Sequence, residues 1–125
     1  MILLDTSVLI EMFRVKDKMT TFFYRLSNDN EDFAISILTH YEIFRGSNNA
    51  QNTFWTNFLK NIKVIPFDLT SSNEAIRIYK FLKVQNQMVD LADLLIAATA
   101  IAHNLDLATL NLKHFSKIPN LHLLK

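Results

Sequence analysis

The sequence has no cysteine, a single glycine and two prolines in 125 residues. Without cysteine there can be no disulfide, thiolate zinc site, iron–sulfur cluster or cysteine nucleophile, and such a chain suits a reducing compartment. Gly46, Pro66 and Pro119 are the only glycine and prolines, so few breakers interrupt the chain and helices should dominate. No apolar run approaches the ~20 residues of a membrane-spanning helix. The opening Met1-Ile2-Leu3-Leu4-Asp5 lacks the basic start and cleavage pattern of a signal peptide. The expected address is the cytoplasm, with no membrane partner. A surplus of one charge sign is also missing: 13 Lys and Arg against 12 Asp and Glu leave a net +1. That total gives no support to a strongly basic nucleic-acid binder, so the placement of the charges matters more than their sum.

Apolar residues are plentiful. Half the chain is hydrophobic, with ten Phe, enough to build a core. The length fits one domain over 1–125, with no repeat, linker or low-complexity tract. Ile2-Leu3-Leu4 reads as a short buried strand, followed by a helix through Val8, Leu9, Met12 and Phe13. A second helix is expected from about Met19 to Leu26, a second strand over Phe33–Ile37, and a helix from Thr39 that stops at Gly46. Phe54, Trp55, Phe58 and Leu59 lie on one helical face. Val64-Ile65-Pro66 reads as a third strand, placed at an edge or strand end by its proline. Two more helices follow, one through Ala75, Ile78, Tyr79 and Leu82, the other through Leu91, Leu94, Leu95, Ala98, Ile101 and Ala102. Strands are expected over Leu107–Leu110 and His122–Leu124. Alternating strands and helices imply an α/β fold with a mostly parallel sheet of four or five strands. Ligands bind such sheets beyond the carboxyl ends of the strands.

Several polar residues fall at those ends. Asp5 directly follows the first strand, Glu42 lies on the helix after the second, Asp90 and Asp93 open the most apolar helix, and Asn111 follows the fourth strand. Two like charges about 4 Å apart repel by about 4 kcal/mol at an effective dielectric near 20, so a converging acidic trio needs a cation or a captured proton. Oxygen donors without cysteine or clustered histidine select Mg²⁺ or Mn²⁺, and such a metal supports phosphodiester chemistry. Each acid also has a local reading. Asp5 would suit the cap of the helix near Ser7. Thr39-His40-Tyr41-Glu42 matches a capping box. Asp90 and Asp93 suit a first turn through the helix dipole. The remaining acids, Glu11, Asp17, Asp29, Glu31, Asp32, Asp68, Glu74 and Asp106, fall in loops or on solvated faces, and the four histidines show no close metal-ligand pairing.

The segments that carry these acids resemble a known family. Met1 to Ile10, with Asp5-Thr6-Ser7, is similar to the opening of PIN-domain proteins, especially VapC-type toxins. Ile35 to Gly46, Asp93 to Ala100 and Leu107 to Phe115 resemble their second, third and fourth motifs, in family order and at family spacing. The resemblance implies a PIN-like α/β/α sandwich and a Mg²⁺-dependent endoribonuclease, with Mn²⁺ as a substitute. It implies Asp5, Glu42 and Asp93 as metal-binding catalytic acids, with Thr6, Ser7, Asp90, Thr109 and Asn111 in support. The same resemblance implies a metal-activated water that leaves 5′-phosphate and 3′-hydroxyl ends, a substrate such as tRNA or another structured RNA, a homodimer, and a cognate antitoxin in a type II toxin–antitoxin system. Arg45, Arg14 and Lys113 stand near the motifs as candidate RNA contacts, and Phe44, Phe54 and Trp55 as candidate antitoxin contacts or core residues. Two positions depart from the pattern. Ser7 stands where these proteins usually carry Asn, and His114 where many carry Asp before Phe, which puts the fourth acid in doubt. Asp90, one turn from Asp93, could compensate. The alternatives are a PIN nuclease of RNA processing without an antitoxin, a non-catalytic interaction module on the same scaffold, and a metal-free nuclease using His and Lys.

Overall fold

The computed structural model describes residues 1–124; Lys125, the last residue of the expected domain, lies outside the described residues. Five strands form one sheet: β1 (Ile2–Leu4), β2 (Phe33–Ser36), β3 (Lys63–Ile65), β4 (Asp106–Ala108) and β5 (Leu123–Leu124). Their order is β3-β2-β1-β4-β5, and all four neighbouring pairs are parallel. Seven helices connect them: α1 (Thr6–Arg14), α2 (Phe22–Ser27), α3 (Ile37–Arg45), α4 (Asn49–Phe58), α5 (Leu69–Val84), α6 (Leu91–Ala102) and α7 (Leu112–Phe115).

Side chains alternate across a strand with a period of two, and this splits the core into two halves. Leu3, Ala34, Ile65 and Leu107 face one side, where they pack with Ala75, Ile78 and Leu82 of α5, Leu94, Ala97 and Ala98 of α6, and Phe115 of α7. Ile2, Leu4, Phe33, Ile35 and Ala108 face the other, against Val8, Leu9 and Met12 of α1, Phe22 of α2, Ile43 of α3 and Trp55 of α4. The result is the expected α/β/α sandwich.

Several element boundaries differ from the sequence-based expectation: those of β3 and β5 by one residue, and three others for a local reason. β2 ends at Ser36 and α3 starts at Ile37, two residues before Thr39, because the Ser36 hydroxyl accepts from the backbone N–H of Leu38 and Thr39. β4 spans Asp106–Ala108 instead of Leu107–Leu110; beyond it, the Ser7 and Thr109 side chains accept the N–H of Leu110 and Asn111. The helix expected from Met19 to Leu26 divides into a 3₁₀ turn, Lys18–Thr20, and α2, which meet at Thr21. The Thr21 hydroxyl donates to Lys18 C=O and accepts from Tyr24 N–H, closing one element and opening the next. Phe44 and Phe54 pack against the second core half, and Trp55 is buried within it. For these three, core packing is the reading the structure favours.

Candidate active site

β1 is the centre of the sheet, and the chain leaves it for β2 on one side while β4 lies on the other. That reversal of direction opens a crevice at the carboxyl ends of β1 and β4. A cleft of about 560 Å³ lies there, lined by Asp5, Thr6, Ser7, Glu11, Arg14, Glu42, Asp93 and Asn111 among others. Acids from residues 5, 42 and 93 therefore share one cleft.

Asp5 is almost wholly buried, 2% exposed. It occupies the N-cap position of α1, but its side chain makes no capping bond. Instead the hydroxyls of Ser7 and Thr109 both donate to Oδ2, each at 2.7 Å. A backbone bond from Asp5 N–H to Ala108 C=O ties the same residue to β4. Ser7, the departure from the usual Asn, thus still holds the carboxylate.

Glu42 sits in the last turns of α3. The capping-box reading fails, since Thr39 lies inside the helix and Ser36 is the cap. Thr6 Oγ1 stands 2.8 Å from Glu42 Oε1 and 3.0 Å from Thr39 Oγ1. A hydroxyl carries one proton. The carboxylate is the stronger acceptor, so the Thr6 proton goes to Glu42, with Thr39 Oγ1 as a competing acceptor beside it. The sequence offers Thr39 only as a helix cap; the fold sets it behind Thr6.

Asp93 is in the first turn of α6, and Asp90 is its N-cap residue without a side-chain cap bond. The Asp93 side chain is 15% exposed and its Oδ2 lies 3.2 Å from His114 Nδ1. Burial pushes its pKa above the ordinary carboxylate value, the His114 hydrogen bond opposes this, and the nearby Asp5 charge adds to the rise. Asp90 contributes only as a further, weaker charge.

A common pattern results. Among the described residues, each of the three carboxylates is hydrogen-bonded through one oxygen, Oδ2 of Asp5, Oε1 of Glu42 and Oδ2 of Asp93, and its other oxygen is uncommitted. Among the described residues, no three His, Asp or Glu side chains stand close enough together to hold a metal ion as they are placed. Mg²⁺ keeps several waters and binds through one or two carboxylates, so an open cleft with free carboxylate oxygens fits that ion and its substitute Mn²⁺.

The basic candidates separate. Arg14 lines the cleft. Arg45 lies over the Tyr41 ring, 5.1 Å from its centroid, and is not among the cleft residues. Lys113 is exposed on α7, outside the lining. Glu11, given no role from sequence, lines the cleft and accepts from Phe22 N–H at 2.8 Å. The other histidines act locally: His103 lies beside Asp68, His122 pairs with Asp106, and His40 packs on Phe44. Among the described residues no helix is long and apolar enough to cross a membrane.

The chain is similar to several known proteins over nearly its whole length. Ribonuclease VapC1 of Methanocaldococcus jannaschii is 36% identical over 122 residues, covering 94% of this chain and 80% of that protein. Ribonuclease VapC19 of Mycobacterium tuberculosis is 26% identical over 121 residues, 95% of each chain. The crystal structure of VapBC2 from Rickettsia felis, bound to a DNA fragment from their promoter, superposes with a TM-score of 0.85 at 27% identity over 99% of this chain and 98% of that one. A family model described as the PIN domain matches residues 2–121, and with the parallel sheet and its acidic cleft already in view, the chain belongs to the PIN-domain family.

Proposed function

We propose that this protein is a metal-dependent endoribonuclease, the toxin of a VapBC-like type II toxin–antitoxin pair, working in the cytoplasm. The observation that carries the reading is the shared cleft: Asp5, Glu42 and Asp93 come from three distant segments, and each keeps one carboxylate oxygen uncommitted. The names of the relatives, ribonucleases VapC1 and VapC19, support RNA as the substrate. The likeness to VapBC2 supports a cognate antitoxin. A homodimer, implied by the same resemblance, is the expected assembly of the toxin.

A Mg²⁺ or Mn²⁺ ion bound by the trio would lower the pKa of a bound water and offset charge on a phosphoryl oxygen. The chain's own residues do the rest. Ser7 and Thr109 hold Asp5, Thr6 holds Glu42, and His114 holds Asp93, so the three acids are oriented before substrate arrives. Arg14, on the cleft wall, offers a permanent positive charge to a phosphate of the RNA backbone. Hydrolysis by water leaves 5′-phosphate and 3′-hydroxyl ends.

The test is cleavage of total RNA by purified protein with Mg²⁺ or Mn²⁺, beside an EDTA control and Asp5→Asn. Discrete cleavage lost in both controls is the expected result. Activity that survives EDTA, or products ending in 2′,3′-cyclic phosphate, would overturn the water-attack scheme. Folded protein that cleaves nothing across a broad RNA pool, with no antitoxin bound, would point to the interaction module instead.

A further inference from the structure

One of the two positions that depart from the family pattern makes a specific contact. His114 brings a hydrogen-bond donor to Asp93, one of the cleft acids. The imidazole is not part of the cleft lining and is about half exposed, while the Asp93 side chain is mostly covered. It therefore holds Asp93 from outside the cleft wall.

The backbone that carries His114 is well anchored. Phe115, the next residue, is fully buried in the first core half. His114 N–H donates to Asn111 C=O, and Asn111 N–H donates to Thr109 Oγ1, the same hydroxyl that donates to Asp5. A short chain of bonds through the turn after β4 thus links the carboxylates of Asp5 and Asp93. An ionised carboxylate only accepts, so Nδ1 carries the proton in this contact, in the neutral imidazole as in the charged one.

We propose that His114 is a positioning residue for the cation site, whose Nδ1–H fixes Asp93 through Oδ2 and leaves Oδ1 as the oxygen offered to the cation. This inverts the common arrangement in which a carboxylate orients a metal-bound histidine. It rests on the metal-dependent reading above. With Asp5, Glu42 and Asp93 as its three acids in the cleft, the site depends on the geometry of Asp93 for its affinity.

The experiment is titration of metal-free protein with Mn²⁺, followed by the EPR signal of the free ion at about pH 8. It compares the wild type with Asp93→Asn, His114→Ala, His114→Leu and His114→Asn. Saturable binding by the wild type that collapses in Asp93→Asn is the expected baseline. Removing a group that orients a ligand typically weakens metal affinity by about 10–100-fold, and His114→Ala should lose about tenfold. His114→Leu, which keeps bulk without a donor, should lose as much. His114→Asn, whose Nδ2 can reach the place of Nδ1, should regain most of the affinity. Wild-type affinity in a folded His114→Ala or His114→Leu protein would overturn the assignment. So would a His114→Asn protein as weak as His114→Ala, since the imidazole itself would then be required as a ligand. Absence of any Asp93-dependent binding in the wild type would defeat the metal reading, and the role of His114 with it.

Discussion

Thr109→Val removes one hydroxyl and almost nothing else. Thr109 is 2% exposed, its Oγ1 lies 2.7 Å from Asp5 Oδ2, and Asp5 is equally buried. Valine matches the shape of threonine, so the change leaves no cavity and deletes a hydrogen bond to a buried charge. Bonds to charged groups contribute about 1.5–3 kcal/mol. Ser7 Oγ still donates to the same oxygen, and Asn111, which loses its acceptor, is exposed enough for water to replace it. The expected loss is therefore about 2 kcal/mol, near the lower part of that range. For a chain of this length that corresponds to a fall in melting temperature of roughly 8 °C. Urea unfolding followed by circular dichroism, in EDTA so that no metal contributes, measures it directly. The same substitution in an Asp5→Asn background faces a neutral amide oxygen, where a hydrogen bond contributes only about 1 kcal/mol. A double-mutant cycle should then give a coupling of about 1 kcal/mol. Equal losses in both backgrounds would refute the reasoning, because the effect would come from packing or from Asn111 rather than from the charge on Asp5. A loss below about 0.5 kcal/mol would refute it too, by showing that Thr109 does not stabilise Asp5 at all.

Asp93→Asn should abolish cleavage and yet stabilise the metal-free fold at neutral pH. Burial raises the pKa of Asp93 in the folded protein, so ionisation above the unfolded pKa penalises the folded state, and the penalty fades as pH falls through the folded and then the unfolded pKa. The gain in melting temperature should be present at neutral pH and vanish below about pH 4; a gain that persists in acid would exclude this cause. Ser36→Ala removes the side chain that accepts from Leu38 and Thr39 N–H at the start of α3. Loss of such a cap costs about 1 kcal/mol, seen as a melting temperature lower by roughly 4 °C, and an unchanged melt would show that α3 does not depend on this cap.

The apolar runs Ile2–Leu4 and Phe33–Ile37 and the helical spacing of Leu91 to Ala102 depend only on which neighbours are apolar, so the alternating strands and helices were legible in the chain, while the sandwich was implied by the family resemblance. Asp5 was legible for a related reason: a charge straight after a buried strand lands at the carboxyl edge of the sheet wherever the strand goes. Boundaries were less so. A capping serine and a capping threonine compete on local terms, and Ser36 prevails because its position at the end of β2 sets where α3 begins. Apart from Ser7, two residues from Asp5, the partners of the acids lay beyond local reading. Thr109 and Asp5 are 104 residues apart, Thr6 and Glu42 are 36, and Asp93 and His114 are 21. Hydrogen bonds act over about 3 Å, so which hydroxyl or imidazole reaches which carboxylate depends on strand order and helix docking. The same holds for Arg14 against Arg45: both are near motifs in sequence, but the turn of α1 brings the first to the cleft while α3 leaves the second over Tyr41. The sequence by itself determined the alternating strands and helices and the acidic residues that follow them, because those depend on short-range patterns of apolar and polar residues. Only the tertiary structure decided which neighbours hold each carboxylate, because that depends on contacts between segments whose separation along the chain carries no information about their distance in space.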